Sequence, residues 1–160
     1  MSKTAVQTSQ NAATAAQNVA CAAQNVASAA GTAATDAIFA APHLRWGVIG
    51  CGVIANQMAE ALASVGRTID GVANRTQEKA VAFAQKHHVK RVYDSIDDLL
   101  ASDEIDAVYL TTPHNTHIIY LRKALQAGKH VLCEKSITLN SAELLEAEEL
   151  ARQNGVQLMD

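Results

Sequence analysis

Residues 46–55 read WGVIGCGVIA, and this stretch decides the fold that the sequence predicts. The apolar run at 46–49 is typical of a short buried strand, and glycines follow at once at positions 50 and 52. Apolar side chains then recur at the spacing of one helical face, at Ile54, Met58, Leu62 and Val65. The chain therefore passes from a strand through a glycine-rich turn into a helix.

The same alternation of strands and helices continues from this turn to residue 160. Further short runs rich in apolar and β-branched residues predict five more strands, and segments with helical periodicity separate them. These strands are expected at 68–73, 91–93, 105–112, 129–133 and 156–159. Six strands separated by helices predict an α/β fold with a doubly wound parallel sheet, covered by helices on both faces.

Polar residues mark the starts of several predicted helices. Ser95 is placed to cap a short helix, and Asn115 or Thr116 is expected to cap the helix after the fourth strand. Asn140 and Glu143 form a pair that resembles a capping box, which predicts a helix over 141–154.

Residues 1–42 differ in composition from the rest and predict a separate low-complexity tail before a domain at 43–160. A seven-residue repeat runs through the tail as QNAATAA, QNVACAA and QNVASAA. One interpretation is a small coiled-coil or oligomerisation helix. We favour an Ala-rich tail that is marginally helical or disordered, because Ala and Val bury too little area to hold partners together.

The composition argues against several functional classes. A net charge of −3 and 4% aromatic residues provide neither a basic surface nor a stacking platform for nucleic acid. No stretch approaches the roughly 18 consecutive apolar residues that a membrane helix needs. The three cysteines, Cys21, Cys51 and Cys133, lack metal-ligand spacing and are typical of reduced thiols in a cytoplasmic protein.

The glycine-rich turn predicts a dinucleotide site. Gly50 allows a tight turn, Gly52 lets a pyrophosphate approach the backbone, and Ala55 lets the helix pack closely on the strand. The first helical residues, Val53 and Ile54, add N–H groups and positive potential at the helix start. A G-x-G-x-x-A run between a strand and a helix thus indicates a Rossmann domain, whereas the alternative is a glycine-rich turn without a ligand.

The end of the second strand favours NADP over NAD as the cofactor. Domains that bind NAD usually carry Asp or Glu there, and this chain has Asn74 and Arg75, with Lys79 one turn further. A guanidinium can bind a 2′-phosphate through two hydrogen bonds, whereas a carboxylate would repel it. The alternative is that Arg75 is a solvated loop residue or stacks on the adenine.

Two further polar stretches follow strand ends, where ligands of such sheets bind. TTPHNTH at 111–117 follows the fourth strand, and its histidines are candidates for the nicotinamide pocket, since no third ligand lies near enough to suggest a metal. Glu134 and Lys135 end the fifth strand. Lys135 could relay a proton from a substrate hydroxyl, or the two residues could form an exposed ion pair, and geometry alone leaves both readings open.

Taken together, WGVIGCGVIA, VANRT, IDAVYLTTPHNTH, ALQAGKHVLCEKSITLN and LARQNGVQLM resemble the amino-terminal domain of the glucose-fructose oxidoreductase/inositol dehydrogenase (Gfo/Idh/MocA) family, and within it the dihydrodiol and xylose dehydrogenase-like branch. The resemblance covers residues from about 44 to 160. It implies an NAD(P)-dependent oxidoreductase that moves hydride between the nicotinamide and a hydroxyl-bearing carbon of a sugar, polyol or diol.

The resemblance also assigns roles to individual residues. It implies that Lys135 contacts the substrate and assists proton transfer, while Glu134 helps to position the loop. The residues that it places around the cofactor, besides the glycine-rich turn, are Asn74, Arg75, Thr111, Thr112, Pro113, His117 and Glu134.

Two departures from the family pattern affect this expectation. Ser136 replaces a proline, so the loop is expected either to keep a cis bond at a cost of roughly 3 kcal/mol or to adopt a trans form. The family's carboxy-terminal substrate domain is absent from these 160 residues. We therefore expect cofactor binding with weak turnover, completed by self-association or by a partner that supplies the domain. The alternatives are a non-catalytic nucleotide-binding module and a truncated inactive product.

Overall fold

The computed structural model describes residues 43–160. The predicted tail at 1–42, with its role in self-association, lies outside the described residues. In chain order the elements are β1 (Trp46–Ile49), α1 (Val53–Ser64), β2 (Gly71–Ala73), α2 (Gln77–His87), β3 (Arg91–Val92), α3 (Ile96–Ala101), β4 (Ala107–Leu110), a 3-10 turn (His114–Thr116), α4 (His117–Gln126), β5 (His130–Cys133), α5 (Ser141–Asn154) and β6 (Leu158–Met159). The predicted alternation of strands and helices is confirmed.

The six strands form one parallel sheet in the order β3-β2-β1-β4-β5-β6. Val48 in the middle of β1 pairs with Val72 on one side and Tyr109 on the other. The chain winds outward from β1 in both directions, so the strand order reverses between β1 and β4. In sheets of this kind a crevice opens at that point, beyond the carboxyl ends of the strands.

Two apolar clusters cover the two faces of the sheet, and alternate residues of each central strand contribute to one or the other. Val48 and Tyr109 pack with residues of α1 and α2 on one face. Ile49 and Leu110 pack with residues of α3, α4 and α5 on the other. Because successive strand residues point to opposite faces, both faces of β1 and β4 are buried, as the apolar runs predict.

The helix starts follow most of the predicted caps. Ser95 accepts a hydrogen bond from the Asp98 N–H at 3.0 Å, and Asn140 accepts one from the Glu143 N–H at 3.0 Å. Thr116 does not cap α4, because its hydroxyl instead contacts Thr112 Oγ1 at 2.9 Å and the Pro113 carbonyl at 2.6 Å.

The inner face of α1 agrees only in part with the one that periodicity indicates, because Met58 and Leu62 pack against the core as expected but Ile54 does not. Val53 and Ile54, in its first turn, are 74% and 40% exposed, whereas the small residues Ala55 and Ala59 are buried against the sheet. Alanines let the helix lie close to β1, as predicted for Ala55. Within residues 43–160, every helix is too short or too polar to cross a bilayer.

Candidate cofactor site

A cleft of about 430 Å³ lies where the strand order reverses, a volume within the range of small-molecule sites. It is formed by the segments that follow β1, β2 and β4, together with the first residues of α3 and one turn of α4. Its lining residues are Gly50, Cys51, Gly52, Asn74, Arg75, Thr76, Lys79, Ile96, Thr111, Thr112, Pro113, His114, Thr116 and Tyr120. Seven of the predicted cofactor residues are thereby brought together around one cavity: Gly50, Gly52, Asn74, Arg75, Thr111, Thr112 and Pro113.

The two glycines of the turn have different surroundings. Gly50 has a φ of +103°, and a Cβ there would lie 2.7 Å from the Thr111 hydroxyl oxygen. A Cβ on Gly52 would meet no atom within 4 Å. Gly50 is thus needed for the fold of the turn, whereas a side chain at Gly52 would occupy only the open space that a pyrophosphate could fill.

Gly52 also caps α1 without a side-chain hydrogen bond, and the first turn of the helix contains no acidic residue. Its N–H groups therefore remain available to an anion, and the helix dipole adds positive potential. Val53 and Ile54 do not line the cleft with their side chains, although their backbone belongs to this first turn. Ala55 is fully buried and contributes packing.

The segment after β2 brings two cations to the other end of the cleft. Asn74 donates to the carbonyl of Thr76 at 2.9 Å and so fixes the turn into α2. Arg75 is exposed, and Lys79 lies in the first turn of α2. Among the described residues that line the cleft there is no Asp or Glu. The arrangement suits a phosphate on the ribose better than a ribose 2′-hydroxyl.

Cys51, between the two glycines, is partly buried in the same cleft. Burial raises the pKa of its thiol to about 11, and the nearby charge of Lys79 opposes that shift. The thiol is therefore protonated and uncharged at neutral pH, which leaves the floor of the cleft without a negative charge.

Sequence reasoning did not place four of the lining residues in the site, namely Thr76, Ile96, Thr116 and Tyr120. Thr76 precedes α2, Ile96 opens α3, Thr116 belongs to the 3-10 turn and Tyr120 lies on α4. His114 was a predicted candidate for the nicotinamide pocket, and Cys51 was considered only as a reduced thiol. Tyr120 follows His117 by three residues, and this spacing places both near one side of a helix. The prediction for His117 could therefore have suggested Tyr120 as a site residue.

Glu134 lies outside the cleft lining and contacts the sheet. The hydroxyl of Tyr109 on β4 donates a hydrogen bond to the carboxylate of Glu134, which directly follows β5. Burial, followed by the contact with Glu134, raises the pKa of the Tyr109 phenol. The carboxylate is thus held by a neutral hydroxyl group.

Lys135 follows on the same loop and is exposed. Within residues 43–160 no hydrogen bond or ion pair engages its ammonium group, so the alternative of an ion pair with Glu134 does not match this geometry. The peptide bond between Lys135 and Ser136 is cis, although no proline is present.

His117 does not line the cleft, contrary to the expectation for it. Its side chain is completely buried at the start of α4, where both ring nitrogens contact backbone carbonyl oxygens. A ring whose nitrogens are both engaged in this way has no edge left for a cofactor. Its contacts are with the cleft-lining residue Thr112 and with the loop of Lys135.

A model of an oxidoreductase family with an NAD-binding Rossmann fold, GFO_IDH_MocA, matches residues 44–160. Among curated proteins, trans-1,2-dihydrobenzene-1,2-diol dehydrogenase of Mus musculus is 37% identical over 120 residues, which are 73% of this chain and 36% of that protein. The enzyme of the same name from Homo sapiens is 34% identical over 120 residues, with the same coverage. The chain thus spans little more than a third of the length of these relatives.

Solved structures give the same picture. KijD10, a 3-ketoreductase from Actinomadura kijaniata in complex with NADP and TDP-benzene, is 33% identical with a TM-score of 0.69, over 74% of this chain and 37% of that one. An NAD-binding oxidoreductase from Klebsiella pneumoniae is 28% identical with a TM-score of 0.67, over 74% of this chain and 34% of that one.

Proposed function

The chain belongs to the GFO_IDH_MocA oxidoreductase family, whose NAD-binding Rossmann domain it contains, and from that premise we propose that it binds NADP in preference to NAD as the cofactor-binding part of an oxidoreductase. One observation carries this proposal. A cleft at the reversal of strand order is lined by two cations and by no carboxylate within the described residues, and it borders an uncapped helix start with open space at Gly52.

The pyrophosphate would lie on the glycine-rich turn. Gly50 keeps the turn tight, Gly52 leaves room, and the backbone N–H groups of Val53 and Ile54 lie in the helix turn that faces the anion. Ala55 contributes through close packing of α1 on the sheet. The positive end of the helix and the uncharged Cys51 thiol both favour a negatively charged ligand here.

The adenosine end would extend toward α2. Arg75 would bind the ribose 2′-phosphate through its guanidinium and Lys79 would add a second positive charge, while Asn74 holds the turn that carries them. The related 3-ketoreductase KijD10 has been solved with NADP, which supports the preference. NAD would lack the phosphate that these two cations would bind.

The nicotinamide end would extend toward β4 and β5, past Thr111, Thr112 and Pro113. When bound, the nicotinamide supplies or accepts a hydride. Lys135 would hydrogen-bond the hydroxyl of the substrate carbon and relay its proton, because its ammonium is free of protein partners in the described part of the chain. Glu134 holds the backbone of this loop through Tyr109.

The substrate class that we propose is a sugar, polyol or diol, oxidised at a carbon that bears a hydroxyl group. The relatives include dehydrogenases of a dihydrodiol. We further propose that residues 43–160 form the cofactor domain and that most substrate contacts come from a domain or partner chain that corresponds to the unmatched part of these relatives. A cytoplasmic location stays a prediction.

A fluorescence titration with NADPH and, separately, NADH tests the proposal. We expect the chain to bind NADPH clearly more tightly than NADH. Arg75→Ala and Lys79→Ala should each weaken NADPH binding by roughly tenfold and leave NADH almost unchanged. Lys86→Ala is the matched control, since Lys86 lies on the same helix but contacts Asn56 and Glu60 outside the cleft.

The outcomes separate the alternatives. NADPH binding together with oxidation of a sugar, polyol or diol would support the enzyme. NADPH binding without turnover, even with a partner that supplies a substrate domain, would favour a non-catalytic binding module. A folded protein that binds neither nucleotide would contradict the proposed function.

A further inference from the structure

The buried ring of His117 joins the wall of the cleft to the loop that carries Lys135. We infer that His117 is a positioning residue, which sets where Lys135 and the end of β4 lie relative to the nicotinamide half of the cofactor. This inference rests on the proposed function. It concerns the nicotinamide end of the site, where Thr112 follows β4 and Lys135 follows β5.

The geometry of the ring is the main support. Nε2 lies 2.7 Å from the carbonyl oxygen of Thr112, while Nδ1 lies 2.9 Å from that of Ser136 and 3.3 Å from that of Ile137. The side chain is 0% exposed. One ring therefore contacts carbonyl groups of both segments and links the end of β4 to the loop of Lys135.

The chemistry of imidazole explains why a histidine suits this place. A neutral ring donates from one nitrogen, and a doubly protonated ring donates from both, so the ring can hold one carbonyl or two. The other groups that face it are the Cys133 thiol on β5, 3.4 Å from Nδ1, and the His114 ring, whose centroid lies 6.1 Å away. Thr112, at the far end of this link, lines the cleft.

Lys135 is fixed from both sides in consequence. Its preceding neighbour Glu134 is held by Tyr109, and its following neighbour Ser136 is held by His117. The backbone is therefore pinned on either side of a side chain whose ammonium has no partner among the described residues. A side chain presented in this way is free to contact a ligand, while its starting point stays defined relative to Thr112.

Two ligands distinguish this role from a general contribution to stability. NADPH reaches the nicotinamide end, whereas adenosine 2′,5′-bisphosphate carries only the adenosine end with its 2′-phosphate. We expect His117→Phe, which keeps a flat ring but removes both ring nitrogens, to weaken NADPH binding about tenfold and to change the binding of the bisphosphate less than about twofold. His117→Gln, which keeps one donor, should recover part of the loss.

Leu121→Ala is the control for stability, because Leu121 lies one turn further along α4 and is fully buried, and its apolar side chain cannot donate a hydrogen bond to the carbonyls of Thr112 or Ser136. Each substitution is made in the full chain, and the thermal unfolding of each variant is measured together with its binding of NADPH and of the bisphosphate. If His117→Phe does not fold, His117→Gln decides the question with the same two ligands.

Selective loss of NADPH binding in the His117 variants, absent from Leu121→Ala, would support the inference. Equal losses for both ligands, or no loss at all, would overturn it. If the unaltered chain bound neither ligand, the proposed function itself would have failed, and the inference with it. If it bound both and His117 proved unimportant, only the inference would be wrong.

Discussion

The hydroxyl of Tyr109 donates a hydrogen bond to the carboxylate of Glu134, across the neighbouring strands β4 and β5. Tyr109 pairs with Leu132 in the ladder, and Glu134 lies two residues further on, so both side chains point to the same face of the sheet. This contact ties the loop that starts at Glu134 to the central strand of the domain.

Replacing Tyr109 by Phe should therefore destabilise the domain by about 1–2 kcal/mol, because a half-buried carboxylate loses its donor. Urea unfolding measures the change. Tyr120→Phe is the control, since no hydrogen bond engages its hydroxyl in the described part of the chain. Equal stability of the two variants would show that the contact contributes nothing to the fold.

The two glycines of the cofactor turn should respond differently to substitution. Gly52→Val adds a side chain into open space, so we expect unchanged thermal stability and loss of NADPH binding. Gly50→Ala places a Cβ against Thr111 at a φ of +103° and should cost roughly 2–4 kcal/mol of stability. NADPH binding retained by Gly52→Val would contradict the placement of the pyrophosphate.

Cys51 should be a slow nucleophile at ordinary pH. With a pKa of about 11, only a small fraction of its thiol is ionised at pH 8, so alkylation by iodoacetamide should accelerate steeply between pH 9 and pH 11. Lys79→Met should slow the reaction, because the charge that favours the thiolate is removed. Peptide mass spectrometry follows Cys51 separately from the other cysteines, and a rate that is constant across this range would refute the prediction.

Asp106 should make stability fall in acid. Its hydrogen bonds with Arg45, at 2.5 Å, 2.8 Å and 2.9 Å, lower its pKa from the ordinary 3.8 to about 2. The folded form holds its proton less tightly, so the stabilisation is complete above about pH 4 and is lost as the pH falls through 2. The loss should stay under about 1 kcal/mol, because the pair is partly exposed.

Urea unfolding at pH 4 and pH 2 compares the unaltered chain with Asp106→Asn. The variant lacks the titrating group, and its stability should therefore change less between the two pH values. A steeper loss in the variant would contradict the assignment of the acid dependence to Asp106.

The order of elements could be predicted from the sequence because local features determine it. The apolar runs gave the strands, and glycine and capping residues gave most helix ends. The strands are nevertheless shorter than predicted, as at β2, which begins only at Gly71. Before it, the buried Asp70 accepts a hydrogen bond from the Trp46 N–H and pairs with Lys90, partners that only the folded chain brings together.

The cofactor cleft could be predicted only where its residues follow strand ends. Arg75 and Thr112 lie at such positions, and parallel strands bring their carboxyl ends to one edge. Ile96 and Tyr120 reach the cleft from helices whose packing on the sheet is set by distant contacts. The partners of His117 are backbone carbonyls, which carry no signal in the sequence.

The cations of the cleft also have a kinetic consequence. Arg75 and Lys79 line the cleft and attract a negatively charged dinucleotide there. The chain as a whole has a net charge of −3 and repels the dinucleotide. Salt screens both the attraction by the two cations and the repulsion by the net charge, so the rate at which the dinucleotide is captured should fall less with rising salt than the two cations alone would predict. The rate of its escape from the cleft should change less still, since contacts already formed are shielded from the ions around them.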